Sequence, residues 1–148
     1  MTMSPPTEAI NQVVRAWRDI HTETIDSLED AEALIYDVLT RVFSYGGHGF
    51  TSWWGPRSCD GPEGSHLRVD LDVESGRAAA HWLPTKEIAV EQGVTAHHSP
   101  LTVTESTDDP PIQISAGRAL VTPGAAIRAI REYVKTGQRP TNLSWTSA

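Results

Sequence analysis

Residues 66–73 read His66-Leu67-Arg68-Val69-Asp70-Leu71-Asp72-Val73, with polar side chains at the even positions and apolar ones at the odd positions. This alternation is typical of a β-strand that buries one face and leaves the other face polar. A Glu-Ser-Gly-Arg turn follows at residues 74–77, and residues 78–83 return as a second strand. The stretch therefore predicts an antiparallel β-hairpin, and this hairpin sets the class of the fold.

Short β-prone segments lie on both sides of the hairpin, and turn residues separate most of them. These segments are residues 50–54, 87–90, 101–105, 112–114, 119–121 and 141–145. Short strands joined in this way are typical of an antiparallel meander.

Two segments have helical periodicity. Residues 27–40 carry one apolar face, and Asp26 with Glu29 has the spacing of a capping box. A second helix is predicted after Thr122, which is a good N-cap, with proline in its first turn. It should end at Gly137, because glycine readily adopts the left-handed conformation that follows many helices.

Residues 7–25 allow two interpretations. Apolar side chains at Ile10, Val13 and Trp17 follow a helical stripe, whereas the β-branched residues between positions 13 and 25 favour a strand. We favour the helix for this segment.

The chain of 148 residues, 39% of them hydrophobic, suits one compact domain. Residues 1–6 are expected to form a loose tail, and residues 7–146 a single α+β domain. In that domain, a mainly antiparallel sheet is covered by two or three helices. The sequence has neither an apolar run of about 18–20 residues nor a signal-peptide pattern, which predicts a soluble, cytoplasmic protein.

The charge distribution predicts the class of partner. The net charge of −7 disfavours binding to the nucleic-acid backbone and favours a basic protein partner. Residues 21–40 contain six acidic residues and no Lys or Arg. Such a run is most often a solvated helix face, but the missing countercharge keeps a partner-binding role open.

The sequence contains no nucleophile elbow, phosphate-binding loop or local metal-ligand spacing, and we expect no cofactor and no metal. A site assembled from distant residues, for example His81, His97 and Asp70, stays an alternative. Asp70 and Asp72 share one face of a strand, at a separation near that of glycosidase carboxylates. The alternation favours a solvated strand face for both. Cys59 is interpreted as an incidental loop cysteine.

Trp53 and Trp54 are adjacent on a predicted strand and must point to opposite sides of it. Both side chains cannot enter the same core. One is therefore expected to be buried, and the other is a candidate surface anchor for a protein partner.

The C-terminal third carries the most specific motif. A short strand and a proline-started helix precede a Thr-Gly-x-Arg-Pro turn and a closing strand that contains Trp. This pattern resembles the first family of bacterial polymorphic-toxin immunity proteins, which is widespread in actinobacteria. The matching residues are Thr136, Gly137, Arg139, Pro140 and Trp145. The resemblance covers residues 20–146, within which the segments 55–65 and 92–111 have no counterpart.

The resemblance implies a non-enzymatic antitoxin that binds and neutralises a cognate toxin, often a nucleic-acid deaminase. The expected partner is a basic protein toxin, bound by acidic charge complementarity and aromatic anchoring, with no binding to nucleic acid or membrane. The chain itself is expected to be a monomer or weak dimer. The motif residues would be scaffold. The residues expected to bind the toxin are Trp53, Trp54, Asp60, Glu63, Asp70 and Asp72.

Two other interpretations of the residues stay open beside the antitoxin. One is a small α+β enzyme or a metal- or ligand-binding domain that uses the scattered His and Asp residues. The other is an accessory domain that dimerises through an exposed sheet edge.

Overall fold

The computed structural model describes residues 9–18, 21–40, 47–59 and 61–148. The predicted tail at residues 1–6 lies outside these ranges. The described elements are β1 (Ala9–Arg18), β2 (His21–Ser27), α1 (Leu28–Thr40), β3 (Phe50–Pro56), β4 (Leu67–Asp72), β5 (Arg77–Trp82), β6 (Glu87–Val90), β7 (Leu101–Val103), β8 (Ile112–Ile114), α2 (Pro123–Thr136) and β9 (Ser144–Ser147).

Seven of these strands form one antiparallel sheet in the order β2-β1-β3-β4-β5-β6-β9. The predicted hairpin is β4–β5, in which Leu67 lies opposite Trp82 and Asp72 opposite Arg77. β7 and β8 form a separate two-stranded sheet. The described chain is therefore α+β with a mainly antiparallel sheet and two helices, and the predicted fold class is confirmed.

The helix favoured for residues 7–25 is wrong, because the described residues of this segment belong to β1 and β2, which pair antiparallel. β1 pairs with β2 on one side and, over residues 14–18, with β3 on the other, so this part of β1 has strand neighbours on both edges. The pairing also buries Ala16 and Ile25 in the core. Sheet pairing and burial thus outweigh the local helical stripe, as the β-branched composition had indicated.

The large sheet is covered on both faces. On one face, which we call the helix face, α1 and α2 bury the main core, with Leu34 and Ile35 of α1 and Ile130 and Val134 of α2 in it. On the other face, the small-sheet face, Leu101 and Val103 of β7 form a second cluster with Ala79 and Ala119. Polar residues of the central strands therefore point toward another layer of protein.

Both ends of α2 lie where the sequence predicts them, and the cap of α1 is shifted by one residue. Thr122 Oγ1 accepts a hydrogen bond from Ala125 N, and Gly137 adopts the left-handed conformation at φ 71° after α2, both as predicted. At the start of α1 the cap is Ser27, whose Oγ accepts a hydrogen bond from Asp30 N at 3.2 Å. The capping pair therefore lies one residue later than predicted.

Gly49 allows the small sheet to approach the large one. Its carbonyl accepts a hydrogen bond from Thr104 N at 2.9 Å, and a Cβ at this position would lie 2.1 Å from Thr102 O. We expect Gly49→Ala to lower the free energy of unfolding, measured in urea, by about 3 kcal/mol, because backbone must move to accept the methyl group. Gly117→Ala is the control, since a Cβ there meets no atom within 4 Å. Equal stability of the two variants would contradict this account.

Candidate functional site

The two adjacent tryptophans of β3 have different surroundings. Trp54 is fully buried on the helix face, and its Nε1 donates a hydrogen bond to Ser52 Oγ at 2.9 Å. Trp53 is only partly buried, and the guanidinium carbon of Arg68 lies 5.3 Å from the centre of its ring. The prediction that one of the pair enters the core is confirmed. Trp53 can touch a partner in this conformation, and Trp54 cannot.

Asp70 was predicted to lie on a solvated strand face, and this is wrong, because its side chain is 0% exposed. Its Oδ1 accepts hydrogen bonds from Thr51 Oγ1 at 2.6 Å and from Arg68 Nη2 at 3.0 Å. The alternation correctly predicted two different strand faces. It could not reveal that β7 and β8 cover the polar face. Asp70, like Trp54, therefore has no direct access to a partner.

Arg68 and Asp70 belong to a buried ionic network on the small-sheet face. Arg68 Nη1 also donates to Glu105 Oε2 at 2.5 Å, so the guanidinium lies between two carboxylates. Burial alone would lower the pKa of Arg68, but Asp70 and Glu105 outweigh it and raise the pKa above its usual value. The spacing of Arg68 and Asp70 on one strand face could have indicated their pairing. Nothing in the sequence indicated Glu105.

His81 adjoins this network. Its Nδ1 is buried without a hydrogen-bond partner and lies 3.9 Å from Asp70 Oδ2. Burial lowers the pKa of His81 and outweighs the opposing effect of Asp70, and the charges of Arg68 and Arg118 add to the decrease. The ring is therefore neutral at pH 7 in this environment.

The remaining predicted contact residues do not form one patch. Glu63 is exposed in a short turn before β4, whereas Asp72 ends β4 and its Oδ1 accepts hydrogen bonds from the backbone of the following turn. Glu63 precedes β4 and Asp72 is its last residue, so the length of this strand separates them. That length is about 17 Å at the usual rise of 3.3 Å per residue. Asp60 lies outside the described residues. The structure thus joins Trp53 to Asp70 through Arg68 but leaves Glu63 and Asp72 apart.

A different surface combines exposed aromatic and acidic side chains. We define the α1–β2 surface as the outer face of α1 together with the neighbouring strand β2. Among the described residues, β2 is one of the two edge strands of the large sheet. Tyr36 is 69% exposed at its centre. Three other exposed residues of α1, spaced to share this helix face, are Glu29, Glu32 and Ala33. Sequence analysis missed Tyr36, although a large aromatic residue outside the apolar stripe was an available signal.

A cavity of about 290 Å³ opens between α1 and β2 on this surface. It is lined by Glu23, Thr24, Ile25, Asp30, Ala33 and Leu34. Among the described residues, this lining contains two carboxyl residues and no basic residue. One of the two, Asp30, already accepts a hydrogen bond from Asp26 N through Oδ2 at 3.0 Å.

A bidentate ion pair fixes the position of α1 against α2. Arg131 donates from Nε to Glu32 Oε2 at 2.6 Å and from Nη2 to Glu32 Oε1 at 2.8 Å. A fork of this kind constrains geometry more than a single contact does. The ion pair between Glu32 and Arg131 therefore fixes the position of the outer face of α1.

The C-terminal motif residues hold the end of α2 to the sheet. Thr136 Oγ1 accepts a hydrogen bond from Gln138 N at 3.0 Å, and Gly137 N donates to Tyr133 O at 2.7 Å. Trp145 Nε1 donates to Pro140 O at 2.8 Å, and Arg139 Nη1 pairs with Glu87 Oε1 at 2.5 Å. These contacts give every residue of the motif a structural role.

Residues 19–147 match the sequence model of the family described as Immunity protein Imm1. The chain belongs to this family. The Imm1 match begins just after β1, ends in β9 and confirms the resemblance found in the C-terminal motif. No curated protein matches the chain.

Membership of Imm1 gives the protein an immunity role, that of a non-enzymatic antitoxin with a toxin as its partner. Among the residues that the structure describes, no group of three or more His, Cys, Asp or Glu side chains could hold a metal ion. His97, named above in the alternative of a site built from distant residues, lies on an exposed segment and stacks on the ring of His98, with the ring centres 4.6 Å apart. No helix in the described ranges is both long and apolar enough to cross a membrane.

Proposed function

We propose that this Imm1 protein neutralises a basic toxin domain by direct binding, and that the α1–β2 surface makes the principal contact. The observation that carries the proposal is the exposure of Tyr36 in the middle of an acidic helix face. Large exposed apolar side chains are rare in the described chain, where Tyr36 and Val73 are the two examples. Tyrosine is among the residues most enriched where alanine substitution weakens protein–protein binding.

Charge supports a basic partner for this surface. The net charge is −7, and residues 21–40 supply six carboxylates without a Lys or Arg. Complementary charge accelerates association and suppresses wrong partners, and salt weakens this steering. The cavity between Glu23 and Asp30 provides space for a Lys or Arg side chain of the toxin beside the Tyr36 anchor.

The same charge argument favours a toxin that acts on nucleic acid, and we propose a deaminase. A protein that holds a polyanion needs a basic substrate groove. An acidic protein seated in that groove would exclude the substrate without chemistry of its own. We also propose that the antitoxin acts in the cytoplasm, where such a toxin meets its substrate.

The residues predicted from sequence form a second candidate surface, centred on Trp53 and including Asp60, Glu63 and Asp72. The observation in its favour is that Trp53 is partly exposed beside a charged network. In this arrangement Trp54 and Asp70 support the surface from the interior. The distance between Glu63 and Asp72 makes it the weaker candidate.

Affinity for the cognate toxin domain, measured by calorimetry, distinguishes the two surfaces. Tyr36→Ala is expected to raise Kd at least 30-fold, the loss typical of a central aromatic anchor. Trp53→Ala is expected to change Kd less than threefold. Val73→Ala is the matched control, because it removes exposed apolar surface at the β4–β5 turn.

The charge contribution is tested separately with Glu29→Gln, which should slow association and reduce its dependence on salt. A large loss for Trp53→Ala with none for Tyr36→Ala would move the interface to the second surface. Failure of the wild-type protein to form a complex with the toxin domain would overturn direct binding itself.

A further inference from the structure

A second cavity, of about 390 Å³, opens beside the end of β5. The turn after β5, the start of β6 and the short 3₁₀ turn at Ala116–Arg118 surround it. Its lining consists of His81, Leu83, Lys86, Glu87, Arg118 and Ala148. This volume lies within the range of about 300–1,000 Å³ that is common for small-ligand sites.

The lining contains two basic side chains and one acidic side chain, although acidic residues outnumber basic ones in the whole chain. Lys86 and Arg118 are exposed at the rim, and neither forms an ion pair with a carboxylate of the described chain. Glu87, the acidic side chain in the lining, already accepts hydrogen bonds from Thr85 Oγ1 and Arg139 Nη1 at 2.5 Å each. Within the described residues, Lys86 and Arg118 therefore have no carboxylate partner, and both line the same cavity.

His81 connects the cavity to the buried ionic network. Its side chain is 16% exposed, and its buried Nδ1 lies 3.9 Å from Asp70 Oδ2. When protonated, the ring has two N–H donors, so it can face Asp70 and also donate to an anion in the cavity. An imidazole between a fixed carboxylate and a basic pocket is suited to take up a proton when an anion binds.

The backbone holds Lys86 in an uncommon conformation. Its φ of 59° and ψ of 42° lie in the left-handed region, which few residues other than glycine adopt. Two hydrogen bonds hold it there, from Lys86 N to Leu83 O at 3.2 Å and from Ala148 N to Lys86 O at 3.3 Å. Conformations of this kind cluster at ligand sites, where the surrounding contacts maintain them.

We infer that this cavity binds a small anion with phosphate oxygens, held by Arg118, Lys86 and His81. The arginine guanidinium matches two phosphate oxygens at once, and the lysine ammonium acts as a compact point charge. The inference goes beyond toxin neutralisation, since the cavity residues take no part in the surfaces proposed for the toxin.

The test is a titration of the full chain with inorganic phosphate at constant ionic strength, followed by the NMR signals of the histidine rings. His81→Gln identifies the His81 signal. We expect a saturable change in that signal and an increase in the pKa of His81, because a bound anion offsets the charge of Arg118. Arg118→Gln should weaken the apparent affinity at least tenfold. Arg128→Gln, which removes an exposed cation from α2, should leave the affinity unchanged.

Lys86→Asn removes the second cation and keeps a residue that tolerates the left-handed conformation. It should also weaken phosphate binding, without loss of the folded spectrum. Repeating the titration with a phosphate monoester distinguishes the source of the ligand: tighter binding identifies an ester, and equal binding identifies free phosphate. A linear, non-saturable response, or equal affinity in wild type and Arg118→Gln, would overturn the site.

Discussion

Asp70→Ala is expected to lower the free energy of unfolding by about 3–5 kcal/mol, which is the usual cost of removing one partner from a buried ion pair. The carboxylate of Asp70 is fully buried and accepts hydrogen bonds from Thr51 and Arg68. Its loss leaves the Arg68 guanidinium in a mostly buried position with Glu105 as its remaining carboxylate. That second contact places the expected value near the lower end of the range.

Urea denaturation measures this effect, with Asp72→Ala as the matched control. Asp72 lies on the same strand but is only partly buried, and it accepts two hydrogen bonds from a turn. We expect its loss to cost about 1 kcal/mol. The double variant Arg68→Met with Asp70→Leu should recover part of the stability, since it removes both charges of the buried pair. The recovery is incomplete because Glu105 loses its cation and Thr51 Oγ1 loses its acceptor. A double variant no more stable than Asp70→Ala would contradict the account of the network.

Trp54→Ala is expected to destabilise the fold by about 3–5 kcal/mol, the range measured when a large aromatic side chain is removed from a core. Trp54 is among the largest fully buried side chains, and its removal also leaves Ser52 Oγ without its indole donor. Trp53→Ala removes the same side chain from the adjacent position, so the difference between the two variants reports the effect of burial. Trp53→Ala removes a partly exposed ring and one cation–π contact, so about 1 kcal/mol is expected.

The two tryptophan variants are compared by thermal and urea unfolding, with equal slopes of free energy against urea as the check on two-state behaviour. If Trp53→Ala proves as destabilising as Trp54→Ala, the assignment of Trp54 alone to the core fails. Together with the affinity measurements, these two variants show whether Trp54 contributes to stability and Trp53 to toxin binding.

Local patterns in the sequence predicted the elements whose determinants are themselves local. Alternation gave the β4–β5 hairpin, and the Thr122 and Gly137 caps gave both ends of α2. The segment that forms β1 and β2 was interpreted as a helix from its local pattern. The pairing of β1 with β3 joins residues far apart in the sequence, so no short stretch of sequence reveals it. The strand that pairs with this segment must be known before its apolar stripe can be assigned to a helix or to a strand.

The environment of the site residues was harder to predict for the same reason. Asp70 and the solvated residues of an ordinary half-buried strand have the same sequence signature. The difference is the small sheet formed more than thirty residues later by β7 and β8. Tyr36, by contrast, was accessible to sequence analysis, since it falls outside the helical stripe that places Leu34, Ile35 and Val38 in the core.

The division of α1 into two faces bears on how such an antitoxin changes its specificity during evolution. Ala31, Leu34, Ile35 and Val38 hold the helix to the core, and Glu32 clamps its edge to Arg131. Substitutions at exposed positions away from such contacts usually change stability by less than about 0.5 kcal/mol. Tyr36, Glu29 and Ala33 are exposed and lie outside these contacts, so substitutions there are expected to leave folding nearly unchanged. If these residues contact the toxin as we propose, they are free to change as the toxin changes.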